Sequence, residues 1–400
     1  MRPRRSLTPL IAVPAVLVVL VLGVWLGGHP SNLPGPVRDV LVGDEQGQTY
    51  DEAIDTISDN YYRKVSRDEL LDKSLGAAVK SLDDRFSAYF DPKQYKAFQE
   101  ATDGAFEGVG MNVAEVDRGL RVLTVFDDSP AQAGGLREGD VITAVNGESI
   151  AGKTSQQATA LIKGRAGTEV TLTVATGKQE SRDLKLERAK VDVPAVKSEM
   201  RRADGAKIAW VRLAGFTSGA HGEVRKAVDD LLAKGAKGVV LDLRNNGGGL
   251  LNEAVLISSI FVDKGTVVST DGRNRPKRVF EATGDAIKGD IPVVVLVNRD
   301  SASASEIVTG ALQDHDRAEV VGTRTFGKGV FQEVRELENG GALDITVGEY
   351  FTPDGRNLGG GGVKQGAGIK PDIEAEDDPA TKDRDEALDT ALDTVASEAR

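Results

Sequence analysis

The chain has 400 residues, 40% of them hydrophobic and 28% charged, with a formal net charge of -12. That length allows two or three domains of ordinary size, and the acidic balance argues against nucleic acid, whose phosphates demand a basic surface. There is no cysteine, which excludes a Cys nucleophile, a Cys metal site and disulfides, and a Ser-His-Asp arrangement would have to use His29, His221 or His315, the only histidines.

Arg2, Arg4 and Arg5 precede an apolar run from Leu7 to Gly28 that is broken by Thr8, Pro9 and Pro14. Its uncharged stretch, Ala15 to Leu26, is near the lower length limit for a spanning helix. The basic residues before it set the N-terminus inside and the remainder outside, and Trp25 falls where an interfacial aromatic belongs. No Ala-x-Ala cleavage site follows the run. Residues 1–30 are therefore expected to be a single-pass signal anchor, with secretion after cleavage as the alternative. A linker over 31–47 leads away from it.

Residues 48–103 read as helical. Ile54, Ile57 and Tyr61, then Leu71, Leu75, Ala78, Val79 and Leu82, recur at three- and four-residue spacing. So small a segment cannot bury much alone, so it is expected to pack on a neighbour or form a homodimer surface.

Residues 104–190 change character. Val109–Val113, Leu120–Val125, Val141–Val145 and Glu169–Ala175 read as strands, and Ser155–Lys163 as a short helix. The opening loop, Gly108-Val109-Gly110-Met111, can present free backbone N–H groups beside a strand edge, which is a means of capturing the C-terminal end of a polypeptide. With the stretch Asp128-Ser-Pro-Ala-Gln-Ala-Gly-Gly-Leu-Arg-Glu-Gly-Asp-Val-Ile-Thr-Ala-Val-Asn-Gly147, this region resembles a PDZ domain.

Residues 191–375 alternate strands (Lys207–Leu213, Gly238–Leu243, Ile291–Val297) with helices (Gly222–Leu232, Leu251–Ile260, Ala304–Gln313), the pattern of an α/β layered domain. Residues 376–400 form a charged tail with an amphipathic helix in Ala387, Leu388, Ala391, Leu392 and Val395.

Three segments of this domain can carry chemistry. Asp242-Leu-Arg-Asn-Asn-Gly-Gly-Gly249 ends a buried strand in glycines that let backbone N–H groups approach a ligand, either to bind an oxyanion or simply to turn the backbone. It matches neither the dinucleotide fingerprint nor the P-loop. Val297-Asn-Arg-Asp-Ser-Ala-Ser-Ala-Ser-Glu-Ile307 places serines where a helix begins. A serine there is either a cap or a nucleophile served by the helix dipole. Thr325-Phe-Gly-Lys-Gly-Val-Phe-Gln332 sets Lys328 between two glycines. Buried, that lysine would have a lowered pKa and could take a proton from a serine hydroxyl. Gln332, four residues on, shares a face with it.

Together the segments resemble the carboxyl-terminal processing, or tail-specific, proteases from Gln48 to Asp372, down to the PDZ domain placed before the core and the strand at Ile208–Phe216. The resemblance implies a ClpP/crotonase-like α/β core and no metal or cofactor. It makes Ser303, the middle serine of Ser301-Ala-Ser-Ala-Ser-Glu306, the nucleophile, Lys328 of Phe326-Gly-Lys-Gly329 the general base, and Gln332 the lysine's partner. The oxyanion hole falls on the N–H groups of Ala304 and of Gly249 or Gly248. One departure is Gly247, where many members have proline. A basic residue late in the PDZ domain, here matching Lys163, can reach toward the active site in this family.

The expected function is endoproteolysis near the C-termini of flexible or unfolded proteins, outside the cytoplasm, after capture of the tail by the PDZ domain, with a regulatory partner where the resting enzyme is inactive. The alternative is a PDZ adaptor or chaperone that binds tails without cutting, for which Ser303, Lys328 and Gln332 would have no use. A Ser-His-Asp hydrolase is disfavoured because His315 sits in a charged segment and no G-x-S-x-G elbow occurs. A crotonase-like acyl-CoA enzyme would need neither the Ser/Lys pair nor an anchor.

Overall fold

The computed structural model describes residues 45–177, 181–378, 380–381 and 384–399. The anchor expected over 1–30 and nearly all of the linker lie outside these residues. Among the described residues no helix is long and apolar enough to cross a membrane. The protein divides into two compact units, 1–83 and 84–400.

In the first unit, α1 (Glu45–Asn60) and α2 (Arg67–Lys80) form a helical pair. Ser66 caps α2 by accepting from Glu69 N, and Asp68, Glu69 and Lys80 complement its dipole. Ile54 and Val79 are buried, whereas Ile57, Tyr61, Tyr62 and Leu82 stay exposed.

The second unit opens with β1 (Ala88–Phe90) and α3 (Pro92–Asp103), so the expected helical region is interrupted by a strand. Pro92 keeps Asp91 out of helical geometry, and Asp91 then forms a capping box with Gln94. Next come β2 (Ala105–Gly108), β3 (Met111–Val116), β4 (Gly119–Val125), α4 (Pro130–Ala133), β5 (Val141–Val145), β6 (Glu148–Ser149), α5 (Ser155–Ile162), β7 (Glu169–Ala175), β8 (Arg182–Glu187) and β9 (Ala189–Asp192). Strands run β3-β4-β5-β7-β8, with β6 on β5, around a core that includes Leu120, Val122, Ile142, Ile150 and Leu172. β2 pairs antiparallel with β9, so one ribbon leads into and out of this subdomain. The strand expected over Val109–Val113 is broken at Gly110, whose φ of +88° turns the backbone between β2 and β3.

The catalytic-type core comprises β10 (Val196–Ala203), β11 (Ala206–Leu213), α6 (Ala220–Ala233), β12 (Gly238–Asp242), α7 (Leu251–Ser259), β13 (Thr266–Gly272), β14 (Arg275–Glu281), β15 (Val293–Val297), α8 (Ala304–Asp314), β16 (Glu319–Gly322), β17 (Val330–Glu336), β18 (Ala342–Phe351), β19 (Ile373–Glu374) and α9 (Glu386–Glu398). Its main sheet runs β10-β11-β12-β15-β16-β19 and is parallel from β11 onward. One face packs on the cluster that includes α6, α7 and α8. The other is covered by Ala387, Leu388, Ala391, Leu392 and Val395 of α9, which pack on Trp210, Val240 and Leu296. With both faces covered, β12 and β15 are buried at every position, which is why they read as continuous apolar runs. Residues 386–398, expected to lie in a charged tail, thus close the core. A second sheet, β1-β18-β13-β14 with β17 on β18, supplies the wall beside the main sheet's C-terminal edge.

Candidate active site

Neighbouring parallel strands β12 and β15 end side by side, so the turns that follow them meet. Such a junction at the carboxyl ends of strands is where α/β sheets place ligands. Asn246 stitches the two turns together. Its amide donates to Leu213 O at 2.9 Å, its Oδ1 accepts from Gly248 N at 2.9 Å, and its carbonyl accepts from Ala302 N at 3.0 Å and Ser305 Oγ at 2.8 Å.

Upstream, Asp242 is fully buried and accepts from Trp210 Nε1 at 3.2 Å and from Arg244, which is itself bound by Asp385 at 2.7 and 2.9 Å. The strand end that leads into the glycine turn is therefore clamped to the start of α9.

Gly248 has φ +105°, and a Cβ there would lie 2.9 Å from Ala302 O, Ala304 N and Ser303 Cβ, so only glycine lets the two turns approach this closely. A Cβ at Gly247 would meet nothing within 4 Å, so the absence of proline there leaves the packing of the turn unchanged. Gly248 N is taken by Asn246, whereas among the described residues the N–H groups of Gly249 and Ala304 have no acceptor. Of the two glycines considered for an oxyanion hole, Gly249 is the one with a free donor.

Ser303 begins α8 at φ +55°, ψ -113°, a conformation that costs a non-glycine residue on the order of 1–3 kcal/mol. Glu306 maintains it. This carboxylate, fully buried, accepts from Ser303 N and Lys328 N at 2.9 Å each, and from Gly327 N and Thr325 Oγ1 at 2.7 Å each. Burial pushes its carboxyl up, opposed by those four donors. Tyr350, also buried, has its phenol pushed up by burial, against a hydrogen bond with the Ser303 side chain.

Lys328 Nζ donates to Gln332 Oε1 at 2.8 Å, and Gln332 Nε2 donates to Thr346 Oγ1 at 2.9 Å. The ammonium also lies 4.8 Å from the centre of the Phe86 ring. Burial lowers its pKa below the usual lysine range, against the opposing charges of Asp344, Asp84 and Glu306. Ser303, Lys328 and Gln332 all line one cleft of about 870 Å³ with Gly248, Gly249 and Tyr350. Among the described residues the nitrogen makes its hydrogen bond to Gln332 and none to Ser303.

Neither of the described histidines joins this group, and His29 lies outside the described residues. His221 Nδ1 meets Glu253 at 2.9 Å, and His315, half-buried rather than exposed, bonds Thr266 O at 2.7 Å. Lys163 bonds Glu100 of α3 at 2.8 Å and lies over the Phe106 ring. Among the described residues no cluster of three or more His, Asp or Glu side chains is placed to hold a metal.

In the capture loop, Val109 O accepts from Ala131 N at 2.7 Å, and Gly110 O from Phe126 N at 3.1 Å and Ser129 Oγ at 3.2 Å. The N–H groups of Val109 and Gly110 have no acceptor among the described residues. β3, which follows, is an edge strand, so Gly108 to Met111 lead into a free ladder edge.

Sequence reasoning missed Glu306's role and the group around Lys328. The Ser303-to-Glu306 spacing is a capping-box signal, but the carboxylate's remaining partners lie about twenty residues on, where no local pattern could point to them.

Comparison with known proteins gives relatives for most of the chain. A family model described as "Peptidase family S41" matches residues 207–375, and a PDZ domain model matches 121–176. A probable CtpA-like serine protease of Staphylococcus aureus is 39% identical over 319 residues, covering 79% of this chain and 62% of that protein. One from Staphylococcus epidermidis is 36% identical over 320 residues, covering 80% and 63%. The sequence thus spans rather more than three-fifths of the length of these curated relatives. Among solved structures, the photosystem II D1 C-terminal processing protease is 30% identical, covering 83% of this chain and 94% of that one, with a TM-score of 0.48.

Proposed function

We propose that this chain, whose residues 207–375 match peptidase family S41 and which is 39% identical to a probable CtpA-like serine protease, is a serine endopeptidase that cuts flexible proteins near their C-termini, with Ser303 as nucleophile and Lys328 as general base. The observation that carries this is the pairing, in one cleft, of a serine held in strained geometry at a helix start with a lysine whose pKa burial lowers.

Neutral Lys328 takes the proton from Ser303 Oγ as the oxygen attacks the peptide carbonyl. The developing oxyanion is received by the N–H groups of Ala304 and Gly249, both without an internal acceptor. As the C–N bond breaks, Lys328 returns the proton to the leaving amine. Water, deprotonated by the same lysine, then hydrolyses the acyl ester. Gln332, fixed by Thr346, gives the lysine a second position to rest in.

The PDZ domain captures the substrate tail. This is supported by the unaccepted N–H groups of Val109 and Gly110 beside the β3 edge. The arginines and apolar run at the N-terminus support a membrane-anchored, extracytoplasmic enzyme. The exposed Ile57, Tyr61, Tyr62 and Leu82 support a helical contact surface for a second copy or a regulatory partner.

The test is cleavage of a loosely folded protein with an apolar C-terminal tail by the full-length protein in detergent, wild type beside Ser303→Ala. Cleavage by wild type alone is expected. Cleavage by both assigns another nucleophile, and binding of the tail by both without cleavage favours a tail-binding adaptor.

A further inference from the structure

β14 lines the cleft through Arg275, Pro276, Arg278 and Phe280, and among the described residues it is an edge strand with no partner beyond β13. Its hairpin carries Arg273, Arg275, Lys277 and Arg278 within six residues, on a protein whose net charge is -12. Pro276, Arg278 and Phe280 alternate onto the face that lines the cleft. Arg275 is neutralised by Glu333, which it meets at 2.9 Å. Arg278 is not. Its guanidinium lies 5.2 Å from the centre of the Phe280 ring, and among the described residues it makes no hydrogen bond and has no carboxylate within ion-pair reach. Glu333 feels its charge only from a longer range. The cleft's carboxylates are committed elsewhere. Glu253 accepts from Gly219 N and His221 N, Glu333 from Arg275, and Asp344 lies close enough to Lys328 to act on its charge.

We propose that Arg278 is a specificity subsite that binds the carboxylate side chain of an Asp or Glu in the substrate segment laid along β14, so that tails with an acidic residue flanking the cut are preferred. This rests on the cleft being where a peptide is cut. Arg278 is exposed where it lines the cleft, and its guanidinium beside the Phe280 ring offers a bidentate fork to a carboxylate. β14's free edge supplies the backbone register that would fix which residue of the segment reaches it. The hairpin's remaining unpaired charges draw an acidic segment in and repel a basic one.

The experiment uses twenty-residue peptides with apolar C-termini, identical except for one position scanned as Asp, Asn or Lys across the cut site, with the full-length protein in detergent. At one position Asp is expected to raise kcat/KM over Asn by about five-fold at low salt, an advantage that shrinks as salt screens it. Arg278→Glu should invert the order so that the Lys peptide is cut faster than the Asp peptide, and Arg278→Lys should restore part of the original order. A reversed preference cannot come from a misfolded variant. Cleavage with no dependence on the scanned charge, or with the same dependence in Arg278→Glu, overturns the subsite and leaves the protease assignment standing. Loss of cleavage on amidating the C-terminus, with no effect of the scanned side chain, also overturns it, by assigning the carboxylate to the peptide's end. Affinity of Ser303→Ala for the same peptides, read by fluorescence anisotropy, tests the subsite without chemistry. Charge-dependent binding there, with no cleavage by wild type, keeps the subsite and overturns the protease assignment.

Discussion

The turn around Ser303 and the loop from Gly108 to Met111 are both glycine-containing connections at strand ends, and they are built on opposite principles. At Ser303 the polar groups are consumed internally. Ser301 Oγ donates to Leu243 O at 2.8 Å, Ser305 Oγ to Asn246 O, and Glu306 gathers donors from both the serine turn and the lysine loop. Among the described residues the N–H groups of Gly249 and Ala304 keep no acceptor, which leaves them for the oxyanion of the proposed mechanism. At Val109 and Gly110 the carbonyls are tied down, against residues 126–131, and among the described residues the N–H groups have no acceptor. A site that must hold atoms in register saturates its own bonds, whereas a site that must accept an unknown peptide end leaves them open. Substitutions at the first should therefore damage chemistry and stability together, and substitutions at the second should mainly alter affinity.

The largest break is Lys328→Ala. Cleavage should fall by a factor on the order of 10⁴, while anisotropy with a labelled tail shows unchanged binding. Loss of binding as well would mean the two sites are not separate.

Next is Gly368→Ala. A methyl group there would lie 2.2 Å from Thr325 Oγ1 and 2.3 Å from Glu306 Oε1. The buried hub has no room to relax, so the expected cost is about 3 kcal/mol. It should be read as a lower midpoint in denaturant together with reduced kcat.

Glu306→Gln keeps the shape and removes the charge. The amide must turn an NH2 toward donors, leaving about 2 kcal/mol of unsatisfied hydrogen bonding. It also removes a negative charge that favours protonated Lys328. On the proposed mechanism Lys328 acts in its neutral form, so activity rises with pH through its pKa. Taking the carboxylate away lowers that pKa further, and the acid limb of kcat/KM should move to lower pH. A limb that stays in place would make Glu306 a purely structural group.

Much of this was legible in the sequence because it is local. The apolar runs of β12 and β15, the serine turn, the glycine turn and Phe326-Gly-Lys-Gly329 each announce themselves within a dozen residues. What was not legible is the pairing between them. β14 and β18 are exposed or half-buried along most of their length, so neither shows a continuous apolar run. Asp84, Phe86 and Asp344 flank Lys328 from distant positions in the sequence. Helix α9 was readable as amphipathic, but its charged setting concealed that its apolar face covers the main sheet. Arg244 and Asp385, 141 residues apart, form the clamp that no spacing could reveal.

The smallest effect tests the comparison from the other side. Thr154 caps α5 by accepting from Gln157 N at 3.3 Å, and Gln157 returns a bond to Thr154 N at 3.0 Å. α5 packs on β3 and β4 beside the capture loop. Thr154→Ala removes the cap and should cost about 1 kcal/mol, seen as faster hydrogen exchange confined to 155–162. Fraying α5 loosens its packing on β3, the edge where the proposed tail contact forms, so KM for a tail should rise. The Ser303 turn has no bond to α5, and its saturated network gives it no means of sensing the change, so kcat at saturating tail should hold. A fall in kcat equal to the rise in KM would instead couple the capture domain to the chemistry. The ribbon of β2 and β9, with the Lys163–Glu100 pair beside it, is the connection through which that coupling would have to run.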